Sequence, residues 1–337
     1  MVLFYTQTNL SNKNVLLFQP IVYKIYFQYN YCIIHFKGVK KMIGVLYAVL
    51  VAYGYASSNF YMKKGMENGA KDIGIFYTII VNFLLALFFA IYVLITNPGI
   101  LNLPGIIFFI LSGIMGPILG RLTLYTAINH VSITLATSIK ITAPVFAAII
   151  AFLTLGETLS TTALIGMFIV IFGLYQLSQL QNGTSEKSTG GSLKLGIVFA
   201  LLSALTFAGG NVFRKFSLQY IDSAVLGLAI STLSSLIFYL IYFTIKGRFK
   251  EFKETPLTAR KNFIIGGLFT TLGILCYFLA LKTIPVAIAV TLANTEPIFV
   301  MFLGKYVYKL KEEKLSKKML AYIGLIFIGV VVITFKG

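Results

Sequence analysis

Acidic residues are scarce in this sequence. Ten Asp and Glu stand against 28 Lys and Arg, a formal net charge of +18, and charges of both signs make up only 11% of 337 residues. A soluble globular domain carries about a quarter of its residues as charges. With 58% hydrophobic residues and a mean hydropathy of +0.88, that class is excluded. Two cysteines, Cys32 and Cys276, make neither a CxxC pair nor a disulfide framework. Cys276 falls inside an apolar run and reads as a small core residue. The two histidines form no HExxH, and GxSxG, P-loop and paired intramembrane aspartates are also missing. The usual residues of metalloproteases, serine hydrolases and nucleotide-driven pumps are therefore lacking. The expectation is a non-enzymatic protein with no catalytic residue, cofactor or metal, an intramembrane or lipid-handling enzyme being the remote alternative.

What the sequence has is apolar length. Runs near the ~20 residues that a spanning helix needs lie at Ile43–Met62, Ile73–Ile95, Gly105–Ile128, Ser132–Leu153, Thr161–Leu180, Leu193–Phe213, Ser223–Ile245, Phe263–Leu281, Val286–Gly304 and Leu320–Phe335. They predict an all-α integral membrane protein of ten transmembrane helices, since only helices and closed barrels satisfy their backbone in lipid. The positive surplus sits in short loops between these runs. It fits contact with anionic lipid, and no nucleic-acid partner is expected.

Residues 1–41 stand apart, with five lysines, no acid and no spanning run. They read as a leader, disordered or not part of the functional chain, with the functional chain starting at Met42. They lack the basic start, apolar middle and small-residue cleavage site of a signal peptide.

From Met42 the chain repeats itself. Gly44, Ala48, Ala52 and Ala56 recur every four residues, followed by Ser57, Ser58 and Asn59; Gly196, Ala200, Ala204 and Ala208 do the same, followed by Gly209, Gly210 and Asn211. Such stripes give a smooth face for close helix packing in a membrane. Gly113, Gly120 and Pro144 are likewise answered by Gly266, Gly273 and Pro297. The hydrophilic stretch 181–192, QNGTSEKSTGGS, separates a first repeat at 42–180 from a second at 193–335. Five helices in each half is an odd number, so the second half enters the membrane in the opposite sense, which is the inverted repeat of secondary transporters. The loops after the first, fifth, seventh and ninth runs hold most of the lysines and arginines, which places them in the cytoplasm and the terminus after Phe335 outside.

Two matching stretches, Ala127–Pro144 and Ala280–Pro297, are mostly apolar and small, and each puts one ionisable residue deep in the run, Lys140 and Glu296, with His130 and Lys282 near the opposite ends. A charge at bilayer depth costs at least ~2.5 kcal/mol and persists where it meets a partner or a water-filled cavity. On a helical wheel Lys140 shares a face with Ala136, Thr137, Ala143, Pro144, Ala147 and Ala151, a stripe suited to a cavity or to an interface. The two residues have two readings, a substrate contact with its counter-charge or an ion pair that holds the halves together. Arg121 either snorkels or offers its planar donors to a carboxylate or phosphate. Tyr125 lies one turn below it, and Tyr277 has a hydroxyl and ring for a ligand or for packing. Asn59 and Asn211 read as helix-end residues, His130 as a solvated turn residue, and Glu157 and Glu313 as partners of neighbouring basic groups.

Together, two five-helix repeats with small-residue first helices ending in Ser/Gly–Asn, fourth helices closing in a proline, Gly156–Glu157 and Glu296–Pro297 resemble the EamA-type transporters of the drug/metabolite transporter superfamily. The resemblance covers Met42 to about Phe335. It implies a carrier in the cell membrane whose central cavity takes a small polar organic metabolite, such as an amino acid or an anionic sugar derivative, by alternating access. Lys140 four residues before Pro144, after Val131–Ser132, also resembles the fourth helix of plastid-type phosphate translocators, where the lysine binds substrate phosphate. A sugar-phosphate or nucleotide-sugar antiporter is thus the alternative. The Lys–Arg pair those proteins carry in the ninth helix is replaced here by Asn294, Thr295 and Glu296. The expected partners are a small-molecule substrate, membrane lipids and a proton or counter-substrate, with a homodimer left open.

Overall fold

The computed structural model describes residues 15–128, 130–131, 136, 139–181, 192–304 and 317–336. The chain divides at Met42, and the second unit, Ile43–Gly337, holds the core. The described residues contain helices and no strand: α1 Val15–Met66, α2 Lys71–Thr96, α3 Leu103–Ile114, a π-helical turn Met115–Gly120, α4 Arg121–Ile128, α5 Ala143–Leu155, α6 Thr161–Gln181, α7 Leu193–Tyr220, α8 Ala224–Lys246, the short α9 Phe249–Glu254, α10 Leu257–Leu281, α11 Val286–Ala293, α12 Glu296–Phe302 and α13 Lys317–Lys336. Seven segments are long and apolar enough to cross a membrane, and three shorter apolar helices lie at Ala143–Leu155, Thr161–Gln176 and Val286–Val300. Large apolar side chains stay on the outside, among them Phe88, Leu153, Phe168, Ile245 and Phe327. Exposure on this scale marks a surface made for lipid.

The small-residue stripes are buried. Ala48, Ala52, Ala56, Ala200, Ala204 and Ala208 are all at most 1% exposed. A Cβ added at Gly54 of α1 would come within 3.0 Å of the Gly273 backbone of α10, and one at Gly210 of α7 within 2.9 Å of the Gly116 nitrogen. These two glycines let backbones touch across the fold, α1 on α10 and α7 on the π turn, while the stripes themselves are closed from solvent. Ala204→Leu therefore forces bulk into a closed contact. It is expected to cost about 1–3 kcal/mol, read as a lower thermal midpoint and a smaller monodisperse yield, and Ala52→Leu is expected to do the same.

Prolines break three of the apolar runs. Pro117 has no N–H for the carbonyl four residues back, Gly113. Ser235 Oγ donates to that carbonyl at 3.1 Å, and Ser203 Oγ to the Gly120 carbonyl at 2.8 Å. These hydroxyls from α8 and α7 stabilise the π turn that parts α3 from α4, where the sequence predicts one uninterrupted helix. The breaks near Pro144 and Pro297 match bond for bond. Thr142 N donates to Ile139 O at 3.0 Å, and Thr295 N to Leu292 O at 3.1 Å. The same hydroxyls donate back to the same carbonyls, at 2.6 and 2.7 Å. Val145 N bonds Thr142 O at 2.9 Å and Ile298 N bonds Thr295 O at 3.0 Å. A helix interrupted at membrane depth survives only where protein or a cavity surrounds the freed backbone.

Several helix boundaries differ from the sequence reading: α1 begins at Val15 and α10 at Leu257, and one difference bears on the site. The sixth run, expected to end at Phe213, continues as α7 to Tyr220. Val212, Phe213, Phe216 and Leu218 keep apolar surface on the helix past the two charges, so Arg214 and Lys215 are helical residues and not loop cations. At the far end of α8, Arg248 pairs with Asp72 of α2 and, at 2.6 Å, with Glu251. Its guanidinium holds the Glu251 carboxyl below the usual carboxylate range.

Candidate functional site

The breaks position the ionisable residues. Lys140 stands just before the turn Ile141–Thr142 that opens α5, and Glu296 is the first residue of α12, with Pro297 behind it. Lys140, Glu296 and Arg121 are each half-buried. They act on one another electrostatically, as does Tyr55 of α1 with Glu296 and Arg121. No direct ion pair closes between Lys140 and Glu296: among the described residues, neither takes part in any of the close ion pairs. The Lys140 ammonium instead lies 4.5 Å from the centroid of the Phe207 ring of α7, a cation–π contact. Glu296 accepts a hydrogen bond from Asn59 Nδ2. Asn59 is thus a mid-helix residue of α1 facing the carboxylate, not the helix-end residue its spacing suggests.

The stripe expected beside Lys140 forms an interface. Ala136, Ala143, Ala147 and Ala151 are at most 3% exposed, and α5 packs against α7 and α11. Lys140 itself is left at the partly open edge of that interface. Asn294 closes α11 and is half-buried. Thr137 and the side chain of Tyr125 lie outside the described residues, as does Glu313.

Tyr277 belongs to a second group. Its ring, 3% exposed, lies 5.6 Å from the guanidinium carbon of Arg214, which also sits 5.5 Å from the Phe278 ring. In the sequence Arg214 follows the apolar run that ends at Phe213 and looks like a loop cation; its spacing of three from Asn211, whose Oδ1 accepts from its Nη1 at 3.3 Å, is the available signal. Arg214 also acts on Tyr55, so that tyrosine connects the two groups. His130 is half-buried and stacked on Phe199 at 6.4 Å, not a freely solvated turn residue.

One further arrangement ties distant parts of the chain. Gly156, at φ 64°, ends α5 in the left-handed conformation, and Glu157 follows it. Glu157 Oε2 accepts from the Val286 amide at 2.9 Å, placing a carboxylate at the N-terminus of α11. Its Oε1 pairs with Lys215, whose Nζ also donates to the Ile284 carbonyl at 2.8 Å. The expected pairing of Glu157 with a basic neighbour is therefore met by Lys215.

The EamA-like transporter family model matches the chain twice, over residues 42–179 and 194–335. An uncharacterized transporter of Archaeoglobus fulgidus is 24% identical over 299 residues, 87% of this chain and 98% of that protein. A protein crystal structure with 12% identity superposes at a TM-score of 0.67, covering 89% of this chain and 98% of its own, a likeness of fold alone. With its apolar helices and its paired matches, the chain belongs to the EamA-like transporter family and is a multi-pass membrane protein.

Proposed function

We propose that this protein is a secondary carrier of a small polar organic metabolite, acting by alternating access between two inverted five-helix repeats that together make ten transmembrane helices in the cell membrane. The observation that carries this reading is the pair of broken helices. Two segments 153 positions apart repeat the same three hydrogen bonds, and each places an ionisable residue at its break. Discontinuous helices with their charged groups near the midplane are how secondary carriers build a substrate site. Lys140 and Arg121 are the anion contacts in this reading, and Glu296, oriented by Asn59, is the counter-charge or the site of a coupling proton. Thr137, Asn294, Tyr125 and Tyr277 are the polar groups that complete the site.

In the same reading, the Glu157–Lys215–Val286 cluster holds one mouth closed. It fastens the end of α5, from the first repeat, to α7 and α11 of the second. Rocking of the halves breaks it. That Lys140 closes no ion pair among the described residues also favours a second reading, exchange of sugar phosphates or nucleotide sugars, in which the ammonium takes a phosphate oxygen.

Purified protein in liposomes tests both. Counterflow of labelled amino acids, sugar phosphates or nucleotide sugars is expected to exceed that of protein-free liposomes, with no hydrolysis of the same solutes. Hydrolysis without counterflow would overturn the carrier reading.

A further inference from the structure

Among the described residues, Arg214 is buried without a counter-ion. It is 8% exposed, inside a helix of membrane-spanning length. The close ion pairs of the described residues join Lys215 to Glu157, Arg248 to Asp72 and Glu251, Lys250 to Glu254 and Lys282 to Asp222, and none reaches Arg214. Its hydrogen-bond partners are neutral, the Asn211 amide oxygen at 3.3 Å and the Tyr55 hydroxyl, and among the described residues its Nε has no partner. The neighbouring Tyr277 hydroxyl, also buried, has none either. Guanidinium N–H groups and a phenolic O–H are donors, and a guanidinium has no acceptor of its own. What this pair lacks is a group that only accepts and that carries negative charge. Glu157 pairs with Lys215 and Glu296 accepts from Asn59, and neither closes an ion pair with Arg214.

The charge balance points the same way. Tyr55 lies within electrostatic reach of Arg214, Glu296 and Arg121, and Lys140 within reach of the latter two. Three cationic side chains thus share one neighbourhood with one carboxylate. Arg214 is buried and the other two cations are half-buried; an uncompensated charge drawn away from water is costly, and the surplus of two is balanced by a ligand with two negative groups.

We infer that Arg214 and Tyr277 form a second anion subsite and that the substrate is a small organic dianion, one oxyacid group held by Lys140 and Arg121 and the other by Arg214 and Tyr277. The planar fork of Arg214 suits a carboxylate or a phosphate in two-point contact. This rests on the carrier reading above and narrows it from polar metabolites to those with two separated anionic groups.

The test is thermal stabilisation of the detergent-purified full chain by succinate, by 3-phosphoglycerate and by succinamate, which keeps one carboxylate of succinate and converts the other to an amide. A bound ligand raises the midpoint by mass action, so each titration yields a Kd. In the wild type at least one dianion is expected to bind about 10-fold or more tighter than succinamate, a charge-assisted contact being worth that much. The tighter of the two identifies carboxylate or phosphate as the second group. Arg214→Gln is expected to bring that ratio to about 2 or less, and Tyr277→Phe to weaken the dianion alone by about 10-fold. Wild-type discrimination retained in Arg214→Gln, or no dianion binding in the wild type, overturns the inference. Should Arg214→Gln not fold, unchanged dianion affinity in Tyr277→Phe does so. Lys140-dependent counterflow of a zwitterion, with no dianion bound, would sink this inference and leave the carrier standing, whereas absence of all counterflow would sink the carrier itself.

Discussion

Lys140→Met is expected to lower transport about 100-fold while leaving the folded yield close to wild type. The first half of that expectation follows from a charge-assisted contact worth roughly 2–3 kcal/mol. The second follows from geometry. Lys140 makes no close ion pair among the described residues, and its ammonium lies over the Phe207 ring. A methionine keeps the length and the apolar contact with that ring and forfeits about 0.5–2 kcal/mol of cation–π attraction. Glu296 keeps the hydrogen bond from Asn59 in the variant. Were the lysine and the glutamate only a structural tie, Lys140→Met with Glu296→Gln would restore both stability and transport. In the present account the double variant folds and still fails. Transport regained in it would end the claim that Lys140 contacts substrate.

The second large effect concerns the closed mouth. Glu157→Ala removes the acceptor of the Val286 amide and the partner of Lys215 at one stroke. Both Glu157 and Lys215 side chains are mostly shielded, at 13% and 21% exposed, so the contact is less screened than a surface pair. The closed conformation is expected to lose about 2–3 kcal/mol, a 30- to 150-fold shift toward the open one. The readout is maleimide labelling of Asn294→Cys, placed at the second helix break, in a Cys32→Ser, Cys276→Ser background. Labelling at least 10-fold faster with Glu157→Ala is the expected result. An unchanged rate would mean that the cluster is not what closes this side.

Much of this architecture is legible in the sequence because it is local. Alanine every four residues marks a packed face wherever a helix forms, whereas Pro144 and Pro297 lie inside runs that read as unbroken spans, and the breaks beside them show only in the fold. The π turn at Pro117 is visible only in retrospect, since it depends on Ser203 and Ser235 donating from other helices. The same limit hid Arg214. At the end of an apolar run a basic residue looks like a loop cation, and only the continuation of α7 to Tyr220, with Phe278 and Tyr277 beside it, makes it a buried one. Lys140 and Glu296 were legible as singular residues but not as a pair held apart. Which of several polar residues takes Glu296 is decided by helix rotation, and Asn59 lies 237 positions away in the chain.

The most direct measurement of the alternating-access account is transport with the Glu157 and Lys215 positions tied together. In the same cysteine-free background, Glu157→Cys and Lys215→Cys are bridged by a reducible bis-methanethiosulfonate linker of about the length of the two side chains. The account predicts that counterflow stops on cross-linking and returns when the linker is reduced, while substrate binding from the opposite face persists. Counterflow that continues at the uncross-linked rate in fully bridged protein would contradict it.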